Sequence, residues 1–132
     1  VVTTPPEGRC IQQLWTTNEY GDDIVLRLQF RATPNADSGV FIRQPQLQCR
    51  DYNVAGPWKE LTHYRPQDWN DLEVTVFDGN ATATCNGEKL PVTINVPALK
   101  VIEGKWSTVA VDRSRSLTLL RVLVNDQISS FS

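Results

Sequence analysis

The sequence predicts an all-β fold: an antiparallel sandwich or jelly roll of two sheets. Three observations carry this expectation. Ile24 to Arg31 alternates strictly, with Ile24, Leu26, Leu28 and Phe30 on one side and Val25, Arg27, Gln29 and Arg31 on the other. A helix cannot use a period of two to bury one face. Asp78-Gly79 and Asn86-Gly87 separate three further alternating runs; Asn-Gly is a strong hairpin signal because both central residues of a type I′ turn need positive φ. No window sustains a helical period. Regularly spaced turn signals mark out roughly eight to ten short strands, the pattern of a sandwich.

Taken in order, Val1 to Gly8 carries two prolines and two threonines and reads as an irregular lead-in. Cys10 to Thr16 reads as a short strand, with Cys10, Gln12 and Leu14 alternating against Ile11, Gln13 and Trp15. Asn18 to Asp23 contains Gly21 and marks a turn before the long strand. Pro34, Asn35 and Ser38-Gly39 punctuate the next loop.

Asp37 to Asp51 then holds two short apolar runs. Val40 and Ile42 alternate with Phe41 and Arg43, and Leu47 and Cys49 alternate with Gln46, Gln48 and Arg50. Leu47 and Cys49 are expected in the core. Gln46, Gln48 and Arg50 are expected to line one outward face, where two amides and a guanidinium suit either sugar hydroxyls or solvent.

Asp51 to Gln67 is irregular, with Gly56-Pro57, Trp58, His63, Tyr64, Arg65 and Pro66. It reads as a long loop crossing a sheet edge, with a short strand at Glu60 to Tyr64. Long ordered loops on β scaffolds often carry function. Trp69-Asn70 opens a meander. In it Leu72, Val74 and Val76 alternate with Glu73, Thr75 and Phe77, and Ala81, Ala83 and Cys85 alternate with Thr82 and Thr84. Glu88 to Ile94 is the third meander strand, and Pro91 places it at an edge or a bulge. Pro97 to Lys105 is a connection. Ser107 to Val111 and Leu117 to Val124 are the last strands, joined by the charged turn Asp112 to Arg115. Leu117 to Val124 is apolar on both sides, as expected of a central strand covered on both faces.

A length of 132 residues fits one domain spanning the chain. A net charge of −2 supplies no basic patch for nucleic acid. No apolar run approaches the roughly 18 residues of a membrane span. The absence of Met suggests that a leader or further sequence precedes Val1. Cys10, Cys49 and Cys85 are too few and too widely spaced for a zinc knuckle or a disulfide scaffold. Buried thiols at Cys49 and Cys85 are expected, and one disulfide among the three stays open. Asn80-Ala81-Thr82 matches the glycosylation pattern, but at a turn.

Five segments in order resemble one family. Tyr20 to Arg31 resembles its "y-x-D-F-x-L-x-x-E-F-R" strand, Asp37 to Arg43 its "N-S-G-V-F-x-R", and Gln46 to Asp51 its "E-x-Q-x-x-D". Trp69-Asn70 resembles its "W-N-x-x-x-I", and Cys85 to Glu88 its "x-N-G-x" hairpin. This is the 3-keto-disaccharide hydrolase-like domain. The resemblance covers Tyr20 to Leu90 and implies a concanavalin-like jelly roll, as in lectins and glucanases. The family's opening "L-F-x-G-x-x-L-x-x-W" segment is absent, so the N-terminal part of the family domain is expected to be missing. Gln46 and Gln29 stand where the family has Glu.

The resemblance implies action on sugars oxidised at C3. A ketone there acidifies the hydrogen at C2; a base removes it, the enolate expels the C1 aglycone, and water then adds. This chemistry needs one base and a cation or donor near the enolate oxygen. His63 or Asp51 is the candidate base, and Arg43 or Arg65 the candidate enolate stabiliser. Gln46, Gln48, Arg50 and Arg65 are the substrate-binding candidates, and Trp58 is the candidate ring platform. Each has a plainer alternative: a surface histidine, an Arg43–Asp51 pair, a turn-starting aspartate. Family members can recruit a divalent metal; no carboxylate–histidine cluster here demands one, so no metal ligand is assigned. A retaining glycosidase on this fold would show an "E-x-D-x-x-E" strand to set two carboxylates about 5 Å apart, and none is present. There is no Gly-x-Ser-x-Gly elbow, phosphate loop or His-Glu-x-x-His.

These features imply a secreted, periplasmic or cell-envelope bacterial domain with a carbohydrate or glycoside ligand, and cleavage of a 3-keto-glycoside as the leading function. The alternative is a non-catalytic carbohydrate-binding or interaction module, which Gln46 and Gln29 favour.

Overall fold

The structure is a computed structural model that describes residues 2–3, 13–15, 20–34, 36–43, 45–55, 58–96, 109–112, 117–124 and 127–128. Among the described residues, eleven strands and one helical turn follow in the order β1 (Val2–Thr3), β2 (Gln13–Trp15), β3 (Ile24–Ala32), β4 (Asp37–Ile42), β5 (Gln46–Arg50), α1 (Tyr52–Ala55), β6 (Asn70–Phe77), β7 (Asn80–Cys85), β8 (Glu88–Asn95), β9 (Val109–Asp112), β10 (Leu117–Val124) and β11 (Gln127–Ile128). They form two antiparallel sheets, as the alternation requires. One has the order β1-β10-β3-β6-β7-β8, with β11 also on β10; the other has the order β2-β9-β4-β5.

The long strand β3 lies inside the larger sheet, and its inward residues Ile24, Leu26, Leu28, Phe30 and Ala32 are all buried. Each large apolar side chain so buried contributes roughly 1.5–3 kcal/mol. Across the core stand Val40 and Ile42 of β4 and Leu47 and Cys49 of β5. The meander supplies Leu72, Val74, Val76, Ala81, Ala83, Cys85 and Leu90. Both hairpins adopt the expected turn, with positive φ at Asp78 (48°) and Gly79 (74°) and at Asn86 (51°) and Gly87 (82°). Pro91 lies on the edge strand β8, within the register shift that follows Thr82 of β7.

Two expectations are corrected. Val2 and Thr3, read as part of an irregular lead-in, pair with Leu119 and Thr118. Glu60 to Tyr64 is a run of turns and bends, because its amides are taken by side chains and turn carbonyls rather than by a neighbouring strand. β10 lies inside the larger sheet between β1 and β3, as expected of a central strand, and its register changes phase. Leu117 and Leu119 pair with Ala32 and Phe30, the register shifts, and Val122 and Val124 then pair with Leu28 and Leu26. A bulge of this kind moves the alternation by one residue. β9 and β10 are in different sheets. Cys10 to Gln12, Asn18, Asn35, Gly56-Pro57, Pro97 to Lys105 and Arg113 to Arg115 lie outside the described residues.

An aromatic cluster centred on Tyr52 closes one side of the core. Tyr52 is fully buried. Its ring meets Phe30 at 5.9 Å, Trp58 at 4.9 Å and Tyr64 at 5.1 Å, the first two edge-on, a geometry favoured by the ring quadrupole. The Tyr52 hydroxyl donates to the Gln48 carbonyl at 2.7 Å. Tyr52→Ala is expected to cost about 3–5 kcal/mol in urea unfolding through the cavity it leaves. Tyr52→Phe removes only the hydrogen bond and should cost about 1 kcal/mol. Equal losses for the two variants would contradict the packing role.

Candidate functional site

Three of the expected binding residues lie on one outer face. On β5 the alternation places Gln46, Gln48 and Arg50 together, half-buried, on the outward side. Gly39 of β4 pairs with Gln48, and the Gln46 side chain lies over it. A Cβ at position 39 would fall 2.3 Å from Gln46 Nε2, so the missing side chain is what lets the amide lie flat there. β5 is an edge strand. Its Gln48 and Arg50 carbonyls accept the hydroxyls of Tyr52 and, at 3.4 Å, Tyr64. The irregular segment therefore covers a strand edge that would otherwise offer free carbonyls.

The expected catalytic residues are each engaged by a different part of the fold. Arg43, at φ 57° in the β4–β5 turn, is 3% exposed. Its guanidinium donates to the carbonyls of Gly21 at 2.8 Å and Asp22 at 2.5 Å. The anticipated Arg43–Asp51 pair is replaced by this tie to the 21–22 turn. Asp51 is 1% exposed; its Oδ2 accepts Gln67 Nε2 at 2.6 Å, and its Oδ1 has no hydrogen-bond partner. Burial, with the Asp51 carboxylate adjacent, pushes the Tyr64 hydroxyl well above the usual phenol range. His63 is exposed, and its backbone N–H donates to Glu88 at 2.7 Å. Arg65 is exposed and donates to the Trp69 carbonyl at 3.3 Å. Trp58, expected as a ring platform, is 7% exposed and packs on Tyr52. A proline-containing loop suggested exposure, but the ring is drawn into the aromatic cluster instead.

A concavity lies on the outer face of the larger sheet. A groove of about 460 Å³ is lined by Arg27 and Gln29 of β3, Asp71 and Glu73 of β6, Thr84 of β7 and Gly87, with the backbone at Leu28 and Leu72 beneath. Register sets these residues opposite one another. Arg27 pairs with Glu73, Gln29 with Asp71, and Glu73 with Thr84. The Arg27 Nε donates to Glu73 Oε2 at 2.8 Å in a half-exposed ion pair, and Gln29 Nε2 donates to Asp71 Oδ1 at 2.7 Å. A guanidinium, an amide, two carboxylates and a hydroxyl thus line one open space. The available signal was Asp71-x-Glu73 opposite Arg27-x-Gln29, but the strand pairing that joins them is not written in either segment.

A buried polar junction holds this groove in shape. The Asn70 side chain is fully buried and fully satisfied. Its oxygen accepts the Arg65 N–H and Asn86 Nδ2, both at 2.8 Å, and its nitrogen donates to the Arg65 and Asp68 carbonyls, both at 2.9 Å. Asn86 in turn exchanges hydrogen bonds with the backbone of Asp71, a groove residue, and donates to the His63 carbonyl. Glu88 accepts the Thr62 and His63 backbone N–H groups and the Thr62 hydroxyl. Trp69 lies under the Arg31 guanidinium, 5.1 Å from the ring centre.

The profile of the family described as "3-keto-alpha-glucoside-1,2-lyase-like domain" matches residues 1–104. The chain belongs to this family. The family's Trp-Asn and Asn-Gly motifs are, at Trp69-Asn70 and Asn86-Gly87, the junction just described. Among solved structures, a Parabacteroides distasonis protein provisionally named a glycosyl hydrolase aligns with a TM-score of 0.56 at 13% identity, over 91% of this chain and 82% of its own. It shares the fold. Sheep galectin-11, solved with glycerol, aligns at a TM-score of 0.48 and 6% identity over 89% of this chain and 98% of its own. No curated protein matches.

Cys49 and Cys85 are buried and unbridged, as the strand alternation predicted. Burial pushes the Cys85 thiol up to about 12 and that of Cys49 higher still. Both stay protonated near neutral pH and are poor nucleophiles. Among the described residues no three His, Cys, Asp or Glu side chains converge.

The backbone N–H groups of His63 and Thr62 hold the exposed Glu88 carboxyl below its ordinary value of 4.5. A carboxylate with a lowered folded pKa contributes stability that is present above the unfolded value and lost as pH falls through the folded one. The clamp should thus be intact at neutral pH and release below pH 4.5. In an NMR titration the Thr62 and His63 amide shifts are expected to move together with a midpoint below 4.5; a midpoint at or above that value would contradict it.

Proposed function

We propose that this chain is a carbohydrate-active domain that takes a glycoside into the outer-face groove, and that its reaction is 1,2-elimination of a sugar oxidised at C3. The observation that carries this reading is the meeting, in a member of this family, of a guanidinium and a carboxylate-rich strand within one open groove. Asp71, whose side-chain partner is the neutral Gln29 amide, takes the C2 proton. The C2–H electrons form the C2=C3 bond of the enolate, and Arg27 faces the developing oxyanion. The electrons then return to C3=O as C1=C2 forms and the C1–O bond breaks. The departing aglycone oxygen recovers the proton from Asp71. Water adds to the resulting enone in a later step. Glu73 orients Arg27 through the 2.8 Å ion pair, while Gln29 and Thr84 meet sugar hydroxyls.

A second reading, binding without turnover, is favoured by Gln29 and Gln46 in place of the family's acids. The two readings differ in release of the aglycone. A chromogenic 3-keto-glucoside should be cleaved by the native chain. Asp71→Asn should lower kcat by about 10²–10⁴-fold, the usual contribution of a positioned base, with KM little changed. His63→Ala should retain activity. Saturable glycoside binding without release under any condition would establish the binding module instead. Loss of activity in His63→Ala alone would return the base to the 62–63 loop.

A further inference from the structure

We propose that the groove is one end of an extended glycan track and that Phe77 is its distal stacking platform, so the domain prefers an oligosaccharide to a single sugar. This rests on the carbohydrate reading above and adds a ligand length to it.

Phe77 is 68% exposed, the only large apolar side chain so exposed among the described residues. An aromatic ring left in water contributes little to folding. Its position is fixed by alternation: Asp71, Glu73, Thr75 and Phe77 share the outward face of β6. Four residues of strand set Phe77 about 13 Å from Glu73. On the β7 side the intervening surface is a row of hydroxyls, because Thr75 pairs with Thr82 and Thr82 with Thr93 across β6, β7 and β8; on the β3 side Val25 lies beside Thr75. The support under Phe77 is firm. The adjoining Asp78-Gly79 turn is tied by Asp78 N–H to Asp23 at 3.1 Å and by Val96 N–H to the Gly79 carbonyl at 2.8 Å.

A pyranose ring offers an apolar C–H face and a polar hydroxyl edge. Phe77 matches the first, while the threonine row and the groove match the second. A protein partner would call for a contiguous apolar patch. Around Phe77 the neighbours on the strand and turn are Thr75, Asp78 and the paired Asn80, all polar. One ring in the groove cannot reach Phe77, whereas a linear glycan lying along β6 can.

The test is calorimetric titration of the chain with glucose and with a series of α- and β-linked glucose oligomers. The native chain should bind at least one oligomer more tightly than glucose. Phe77→Ala should weaken that oligomer about 2- to 12-fold, the scale of an aromatic stacking contact, and leave glucose unchanged. Phe77→Trp should restore the oligomer. Asp71→Ala should weaken both ligands. If Phe77→Ala leaves oligomer affinity intact, or weakens glucose equally, while Asp71→Ala weakens both, the track is overturned and the groove stands. If the native chain binds none of the sugars, the carbohydrate reading and the track fail together.

Discussion

The buried amide of Asn70 is the constraint on which the groove depends. It sits at the first residue of β6, where the loop from Leu61 to Trp69 must turn into the sheet. A buried amide with a missing partner costs about 1–3 kcal/mol. Here both donors and both lone pairs are used, on Arg65, Asp68 and Asn86. The same Asn86 grips the backbone of Asp71 from its other side. One junction thereby fixes the start of β6, the β7–β8 turn and the loop below, and with them the wall of the groove. Trp69-Asn70 and Asn86-Gly87, the pairs that resemble the family's Trp-Asn and Asn-Gly motifs, sit at this junction, where Asn70 and Asn86 tie the backbone together.

Two kinds of polar residue emerge from the fold. Arg43 and Asp51 carry charges of the right type for catalysis, yet both are buried and committed to backbone and amide partners. A buried charge is tolerated when paired or hydrogen-bonded, and Arg43 uses its donors to tie the β4–β5 turn to the start of β3. By contrast, Arg27 and Glu73 face each other half-exposed, where an ion pair contributes little to stability. A weakly held pair in an open groove can exchange its partner for a ligand at small cost. Burial, rather than residue type, is what distinguishes the two pairs.

The two outer faces also differ in how they are finished. Beside β5 the aromatic loop of Tyr52, Trp58 and Tyr64 covers the strand edge and leaves a flat amide row. On the larger sheet the outward side chains of β3, β6 and β7 line the polar groove, and that groove depends on pairing between strands distant in the chain.

By itself the sequence determined the fold class, the strand alternation and both hairpins, because these follow from local rules: period two, φ above zero at Asp-Gly and Asn-Gly, and the burial of Leu47, Cys49 and Cys85 on inward positions. It also determined that Gln46, Gln48 and Arg50 share a face. Only the tertiary structure decided which charges are available. Trp58 lay in a polar, proline-containing stretch, and nothing local showed that Tyr52 would draw it inward. Arg27, Gln29, Asp71 and Glu73 were legible as outward residues of two separate strands. That they form one groove depends on the register between β3 and β6, and register between segments more than 40 residues apart, such as Arg27 with Glu73, is set by the whole core packing beneath them.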